Sequence, residues 1–200
     1  MYINSYFTAL VAFPGSQLPY VGTYRADLVA LSLVIAIAGA WAGLACLARA
    51  ESILKEHPGS AVLWKLAGGV GFGGSIWGMH FVGMLAFSLP CGISYDFLVT
   101  SLSIVPGILA SLTAMAVVGR TDFGQYSRLT IGAVLMGAGI GAMHYAGMAA
   151  MRLPAILMYE PFFVALSVAA AVGLSFIALL FVEHGQRRLP RPRLRQFAAA

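Results

Sequence analysis

The stretch Met79-His80-Phe81-Val82-Gly83-Met84 decides how this sequence is interpreted, because it returns as Met143-His144-Tyr145-Ala146-Gly147-Met148. Each copy of Met-His-aromatic-x-Gly-Met lies near the end of an apolar run of membrane length. Ionisable side chains at membrane depth are costly and tend to be functional. The repeated motif therefore predicts a membrane fold that brings specific chemistry into the bilayer.

The composition around the motifs is that of an integral membrane protein. Of the 200 residues, 60% are hydrophobic and 10% are charged. At roughly 20 residues per crossing, this length allows about five spans and leaves no room for a soluble catalytic domain. We therefore expect no enzyme activity in this chain, and any enzymatic output must lie outside it.

Apolar runs predict an all-α membrane fold of five transmembrane helices. The predicted spans are residues 28–48, 66–89, 97–118, 129–151 and 162–182. Residues 1–23 precede them as an extracytoplasmic or interfacial lead-in, residues 24–183 form the membrane domain, and residues 184–200 form a basic tail. The charged residues between Arg49 and Lys65 and between Arg120 and Arg128 indicate aqueous loops.

Positive charge predicts the orientation. Ten of the twelve Lys and Arg residues flank the spans on one side, and this side is expected to be cytoplasmic. The two on the other side are Arg25 and Arg152. The N-terminus is then outside, the C-terminus is inside, and both motifs lie in the outer half of the bilayer. The net charge of +5 is thereby explained by membrane topology, and no nucleic-acid partner is expected.

The duplication extends beyond the motif. A shift of 64 residues superposes Met79, Gly83 and Pro90 on Met143, Gly147 and Pro154. The repeating unit is a plain helix followed by a glycine-rich motif helix. Residues 162–182 would open a third unit that continues in residues 184–200. We therefore expect a longer parent sequence to carry a third motif soon after Ala200.

The motif has the residue types of a soft-metal site. His80 and Met84 are four residues apart and so share one face of a helix, whereas Met79 is rotated by about 100° from His80. Gly83 is expected to remove bulk beside the imidazole. Thioether and imidazole ligands together favour copper, particularly Cu(I), over magnesium or calcium.

Each of these residues also has a purely structural interpretation. Methionine packs well in membrane helices, and an intramembrane histidine often hydrogen-bonds to a neighbouring helix. The recurrence of the whole set at the same place in two units favours a metal site over packing alone. Three equivalent serines either support the histidines or join helices, and three equivalent tyrosines are expected to anchor the interface. These residues are Ser32, Ser103, Ser167, Tyr24, Tyr95 and Tyr159.

The paired motifs and their flanks resemble the bacterial MHYT sensor family, and the resemblance covers nearly the whole chain. It implies a domain of the bacterial inner membrane that binds copper and perceives oxygen, carbon monoxide or nitric oxide. It also implies a fused or associated cytoplasmic partner, either a diguanylate cyclase and cyclic-di-GMP phosphodiesterase or a histidine kinase, and homodimerisation is a further candidate. The implied copper ligands are Met79, His80, Met84, Met143, His144 and Met148.

The sequence leaves two other functions open. His80 and His144 would ligate haem from opposite faces in a membrane cytochrome, and an absorption spectrum distinguishes this from copper. Copper transport is the other alternative. Against transport, the motifs lie at the outer level, and we expect no second Met or His layer near the inner end.

Overall fold

The computed structural model describes residues 11–12, 22–88, 92–117, 124–152, 156–157 and 160–188, without the side chains of 11–12, 156–157 and 186–188. The described part is built from helices with short strands between them. The helices are α1 (Ala26–Ile53), α2 (Pro58–Ala86), α3 (Phe97–Leu102), α4 (Ile104–Val117), α5 (Gln125–Ala149) and α6 (Pro161–Arg188). The strands are β1 (Val11–Ala12), β2 (Thr23–Tyr24), β3 (Phe87–Ser88), β4 (Ser94–Tyr95), β5 (Met151–Arg152) and β6 (Ile156–Leu157).

The helices have the length and surface of membrane spans. Four described segments are long and apolar enough to cross a bilayer: Ala26–Ile53, Phe97–Val117, Gln125–Ala149 and Pro161–Gly185. Large apolar side chains cover their outer surfaces, and Ile37, Trp41 and Phe181 are each at least 70% exposed. A water-soluble surface would not present so many apolar side chains, whereas lipid accommodates them. The all-helical membrane class is confirmed.

Each long helix packs along the next one in chain order. Helix α1 lies against α2, α2 against α4, α4 against α5 and α5 against α6. We call the end of the bundle that carries Met84 and Met148 the motif end and the other the opposite end. Because α4 stands between α2 and α5, the two motif helices approach each other over a short stretch alone.

Glycines set the distances between these helices, and they do so in equivalent positions. A Cβ atom at Gly73 would lie 2.5 Å from the Cα atom of Ile108 on α4, and one at Gly137 would lie 2.7 Å from the Cα atom of Val172 on α6. Both members of the second pair follow those of the first by the predicted shift of 64 residues. The internal repeat is therefore confirmed as a repeat of helix packing.

Two-stranded pairs hold the motif ends together. Strand β2 pairs with β3, and β4 pairs with β5, both in antiparallel register. Next to them, the N–H of Arg25 donates to the carbonyl of Ala86 (2.9 Å), and the N–H of Asp96 donates to that of Ala150 (2.8 Å). Each plain helix is thus joined at its start to the end of the following motif helix. Strands β1 and β6 form a third pair.

The third predicted span is interrupted at Ser103, between α3 and α4. Pro106 lies three residues further on and has no N–H with which to continue the helical ladder, which accounts for the break. The indole N–H of Trp77 on α2 donates to the carbonyl of Thr100 (3.1 Å) and to the hydroxyl of Ser103 (3.0 Å). The break is therefore stabilised by a side chain of the first motif helix.

The helices extend beyond several of the predicted spans, because polar residues continue them beyond their apolar runs. Helix α1 reaches Ile53 and α2 begins at Pro58, so the expected aqueous loop after Arg49 is largely helical. Helix α5 already begins at Gln125, which places Arg128 in a helix, and α6 runs to Arg188 through the first residues of the predicted tail. Met151, predicted to end the fourth span, belongs to β5.

Other predictions concern residues outside the described ranges. These include most of the lead-in, Tyr159, and residues 189–200 with the expected start of a third repeat. They stay predictions.

An apolar cavity of about 200 Å³ lies toward the opposite end. Helices α1, α2, α4, α5 and α6 all contribute to its lining. Two methionines, Met115 and Met136, are among the lining side chains, and both are also part of the buried core. Met115, near the end of α4, is a methionine toward the opposite end, whereas Met136 lies in the middle of α5, so the expectation of no second Met or His layer near the inner end stays a prediction.

Candidate metal centre at the paired motifs

The two motif histidines lie next to each other. The ring centroids of His80 on α2 and His144 on α5 are 4.8 Å apart, with the ring planes inclined by 57°. The residues are 64 positions apart in the sequence, and their proximity follows from the packing of both motif helices on α4. The fold thus brings the two predicted sites together as one centre.

Gly147 provides the space for this contact. A Cβ atom at Gly147 would lie 3.1 Å from Nε2 of His80 and 3.4 Å from Cε of Met84. At Gly83, by contrast, an added Cβ would meet no atom within 4 Å. The expectation that Gly83 makes room beside the imidazole is therefore wrong for its own helix. The glycine of the second motif accommodates the histidine and methionine of the first.

The methionines do not all face the histidine pair. Met84 is 7% exposed and has its methyl group against Gly147, beside His80. Met143 is 2% exposed, and its sulfur lies 3.4 Å from the position of a Cβ at Gly107 on α4. This direction agrees with the rotation of about 100° between the first methionine and the histidine of each motif. Met79 and Met148 are half-buried.

The donor set fits a soft metal ion. Nε2 of His80 is buried and has no hydrogen-bond partner within the described part of the chain, which is unfavourable for a polar atom unless something else occupies it. The described residues contain no group of three or more His, Cys, Asp and Glu side chains that could hold a metal. The further side-chain donor beside a metal ion at His80 and His144 would be the sulfur of Met84, and a ligand set of imidazole and thioether suits copper.

The three equivalent serines donate their hydroxyl hydrogens to backbone carbonyls. Ser32 donates to Val29, Ser103 to Thr100 and Ser167 to Val164, at distances of 2.7 to 2.8 Å. A hydroxyl has one hydrogen to donate. Two of these serines also bond an aromatic residue of the preceding motif helix, Trp77 in one case and Tyr145 in the other. Ser103 and Ser167 thus join helices, whereas the bond of Ser32 lies within α1, and a supporting role toward the histidines stays a prediction.

An aromatic group borders the first motif. The rings of Trp77 and Phe81 stack at 5.4 Å, and Phe81 meets Tyr95 edge to face at 5.8 Å. The Tyr95 hydroxyl donates to the carbonyl of Met84 at 3.1 Å. Burial raises the pKa of the Tyr95 phenol above its ordinary value, so it keeps this proton at neutral pH. Tyr95 therefore contacts the motif directly and is more than the interfacial anchor that was predicted.

An ion pair at the opposite end was missed in the sequence. Arg128 on α5 and Glu183 on α6 are 5% and 4% exposed, and Nη2 of Arg128 lies 3.0 Å from Oε1 of Glu183. Arg128 also donates to the carbonyl of Val117 at the end of α4. The available signal was a single acidic residue at the polar end of the last apolar run.

The sequence profile described as the bacterial signalling protein N-terminal repeat, MHYT, matches residues 6–57, 73–131 and 137–196. The chain belongs to the MHYT family. The motifs begin at the same position within the second and third MHYT matches, whereas residues 6–57 contain no Met-His pair. In the profile, the motif thus lies near the start of each of these two repeats. In the hairpin unit inferred from the sequence, the motif lies near the end of the unit.

Curated relatives of this MHYT chain are signalling proteins. It is 39% identical over 172 residues to the bifunctional diguanylate cyclase/cyclic di-GMP phosphodiesterase MucR of Pseudomonas aeruginosa, covering 84% of the chain and 24% of the relative. It is 39% identical over 179 residues to the cyclic di-GMP phosphodiesterase NbdA of the same organism, covering 89% and 22%. It is 33% identical over 160 residues to the signaling protein YkoW of Bacillus subtilis, covering 78% and 19%.

The MHYT chain spans less than a quarter of the length of these relatives. The aligned part of each relative is therefore a minor portion of a much longer protein. No solved structure matches the chain significantly.

Proposed function

We propose that this chain is a membrane-integral sensory input domain that holds copper between its two motifs. The observation that carries the proposal is the contact between His80 and His144, in which Nε2 of His80 is buried and lacks a partner among the described residues. Burying a polar nitrogen without a partner costs free energy, and a bound ligand or metal ion would offset that cost.

The chain's residues have distinct roles in this proposal. His80 and His144 supply imidazole nitrogens, and Met84 supplies sulfur from the same side of α2. Met148 is the equivalent of Met84 on α5, while Met79 and Met143 are left out of the proposed ligand set because the first methionine of each motif is rotated away from its histidine. Copper, when bound, supplies a centre that changes between Cu(I) and Cu(II) and accepts a diatomic ligand such as O₂, CO or NO. The apolar helices around it restrict the access of water.

We further propose five spans, with the N-terminus outside and the C-terminus on the cytoplasmic side of the bacterial inner membrane. Helix α2 has 29 residues and a length of about 43 Å, which is sufficient for a crossing although its glycines and His80 lower its hydropathy. Helix α6 would then leave the membrane toward a cytoplasmic signalling partner. The names of MucR and NbdA support an output in cyclic-di-GMP turnover.

Of the two alternatives, copper transport has an observation in its favour. Met115 lies near the end of α4 at the opposite end of the bundle, and with Met136 it lines the cavity below the motifs. Packing in an apolar core explains both residues equally well. Haem is less well supported, because a contact of 4.8 Å between the two histidine rings leaves no space for a porphyrin between them.

The test is the metal content of purified protein. His80→Ala and His144→Ala are each expected to abolish copper binding as measured by elemental analysis. His57→Ala and His184→Ala are matched controls, since both histidines are exposed and lie outside the motifs. Unchanged copper in the motif variants would refute the site. A Soret band in the absorption spectrum of the wild type would favour the haem alternative over copper. Copper uptake into vesicles that contain the protein would favour transport.

A further inference from the structure

Helices α5 and α6 are joined at three levels along their length. At the motif end, the hydroxyl groups of Tyr145 and Ser167 lie 2.7 Å apart. In the middle, Gly137 allows close contact with the backbone of Val172. At the opposite end, Arg128 and Glu183 form their buried ion pair.

The first of these joints starts at the candidate metal centre. The Tyr145 ring contacts the neighbouring His144 ring edge to face, with centroids 5.0 Å apart. Because Ser167 uses its hydrogen on the carbonyl of Val164, the Tyr145 hydroxyl is the donor toward Ser167. Contacts therefore connect the His144 imidazole to the Tyr145 phenol and the phenol to Ser167 on α6.

The first motif takes no part in the equivalent joint, which Trp77 makes from outside the motif. Its aromatic residue is Phe81, which has no hydroxyl, and the serine equivalent to Ser167 is Ser103, which bonds Trp77. The hydroxyl of the second motif's aromatic residue therefore has a use that the first motif does not share.

Breaking the ion pair at the opposite end would cost free energy. Arg128 and Glu183 are both enclosed by protein, and removing either partner would leave a buried charge without its counter-ion. Arg128 also contacts the end of α4 through the carbonyl of Val117. The exposed pair of Arg25 and Asp27, whose side chains are 64% and 62% exposed, has no such constraint.

The contact between α5 and α2 is of a different kind. It extends over a short stretch of both helices and is made by motif residues. His80 contacts His144, and both His80 and Met84 lie against Gly147. A change at the histidine pair therefore acts on a direct contact between α5 and α2 that is much smaller than the contact between α5 and α6.

We propose that α5 and α6 move as one rigid pair, and that Tyr145 and Ser167 are positioning residues that connect the histidine centre to α6. This inference rests on the proposed function for its metal-dependent part. The Arg128–Glu183 ion pair completes the connection near the C-terminal end of α6.

Distances between nitroxide labels test this inference in the full chain. The labels are attached in a background with Cys46→Ala and Cys91→Ala. One label pair, at Tyr126→Cys and His184→Cys, reports on α6 relative to α5; a second, at Lys55→Cys and His184→Cys, reports on α6 relative to the α1–α2 turn. Both pairs are measured without metal and with Cu(I), which is diamagnetic, and the bound copper is determined in each sample.

In the wild type, Cu(I) is expected to shift the second distance and leave the first unchanged. Tyr145→Phe should bind the same amount of copper but lose the shift, while its control Tyr24→Phe retains it. Glu183→Gln should broaden the first distance distribution even without metal, and its control Asp27→Asn should not.

Two results would overturn the inference. One is a full shift of the second distance in Tyr145→Phe; the other is an unshifted second distance in wild type that has bound copper. If the wild type binds no copper, the proposed function fails. The rigid pair is then tested by the first distance alone, compared without metal between Tyr145→Phe, Glu183→Gln and their controls. Unchanged first distances in both variants would then reject the rigid pair.

Discussion

Gly147 of the second motif lies against His80 of the first, so closely that a Cβ atom at residue 147 would be 3.1 Å from the imidazole Nε2. The two motifs are therefore complementary: the first contributes the side chains of His80 and Met84, and the second contributes the space that these side chains occupy at Gly147. Their glycines have the same sequence context but different surroundings.

This difference predicts opposite results for the same substitution in the two motifs. Gly147→Ala is expected to displace His80 and Met84 and to lower copper binding, whereas Gly83→Ala enters open space and should leave it unchanged. Copper titration of both purified variants checks this. Equal effects in the two variants would show that the motif glycines act within their own helices.

The methionines are also expected to differ. Met84→Leu removes a sulfur beside His80, and the loss of a ligand should weaken copper binding by on the order of tenfold or more, since even outer-shell partners have effects of this size. Met143→Leu alters a side chain that packs on Gly107 and should retain the affinity, with a change in stability below about 1.5 kcal/mol. Competition with a Cu(I) chelator measures both affinities. A weaker site in Met143→Leu would return this residue to the ligand set.

The equivalent glycines Gly73 and Gly137 are expected to control stability. Alanine at either position would place a methyl group against the backbone of the next helix, so each substitution should destabilise the protein by about 1–3 kcal/mol. Gly74→Ala is the control in the adjacent position, where an added Cβ meets no atom within 4 Å, and its effect should stay below about 1 kcal/mol. Thermal unfolding in detergent gives the comparison. A control variant as unstable as Gly73→Ala would contradict the packing described here.

Asp96 predicts a dependence of stability on pH. The Arg152 guanidinium hydrogen-bonds to this carboxylate and lowers its pKa below the ordinary value of 3.8, with further help from the N–H of Val99. A lowered folded-state pKa adds stability above 3.8 that is lost as the pH falls through the lowered value. Unfolding midpoints measured between about pH 6 and about pH 3 should therefore decline at the acidic end. Asp96→Asn should remove that part of the decline, and an unaltered profile would show that the pair contributes nothing.

Much of the fold follows from the sequence because two strong patterns coincide. Apolar runs locate membrane helices, since the bilayer requires apolar side chains over a fixed length. The repeat then indicates that His80 and His144 occupy equivalent positions, and their contact follows when both helices pack on a shared neighbour. The direction of Met143 was also predictable, since helix geometry fixes the angle between adjacent residues.

The failures have physical causes as well. The helices include Arg49 and Arg128, outside the predicted spans, because backbone hydrogen bonds continue a helix whether or not its residues are apolar. The burial of Arg128 depends on Glu183, which is 55 residues away, and local charge patterns do not report such pairs. The role of Gly147 was missed because a glycine has no side chain to indicate which neighbour it accommodates.

The pairing of β4 with β5 fixes the start of α3 to the end of α5 next to the motifs, and so gives the proposed rigid pair of α5 and α6 a pivot at the motif end. A rod held near one end pivots there, and its displacement grows with distance from the pivot. Helix α6 has 28 residues and is about 42 Å long, so a rotation of only about 3° would move its far end by roughly 2 Å. If α5 and α6 move as the proposed rigid pair, a small rotation at the histidines corresponds to an ångström-scale displacement at the opposite end of the bundle.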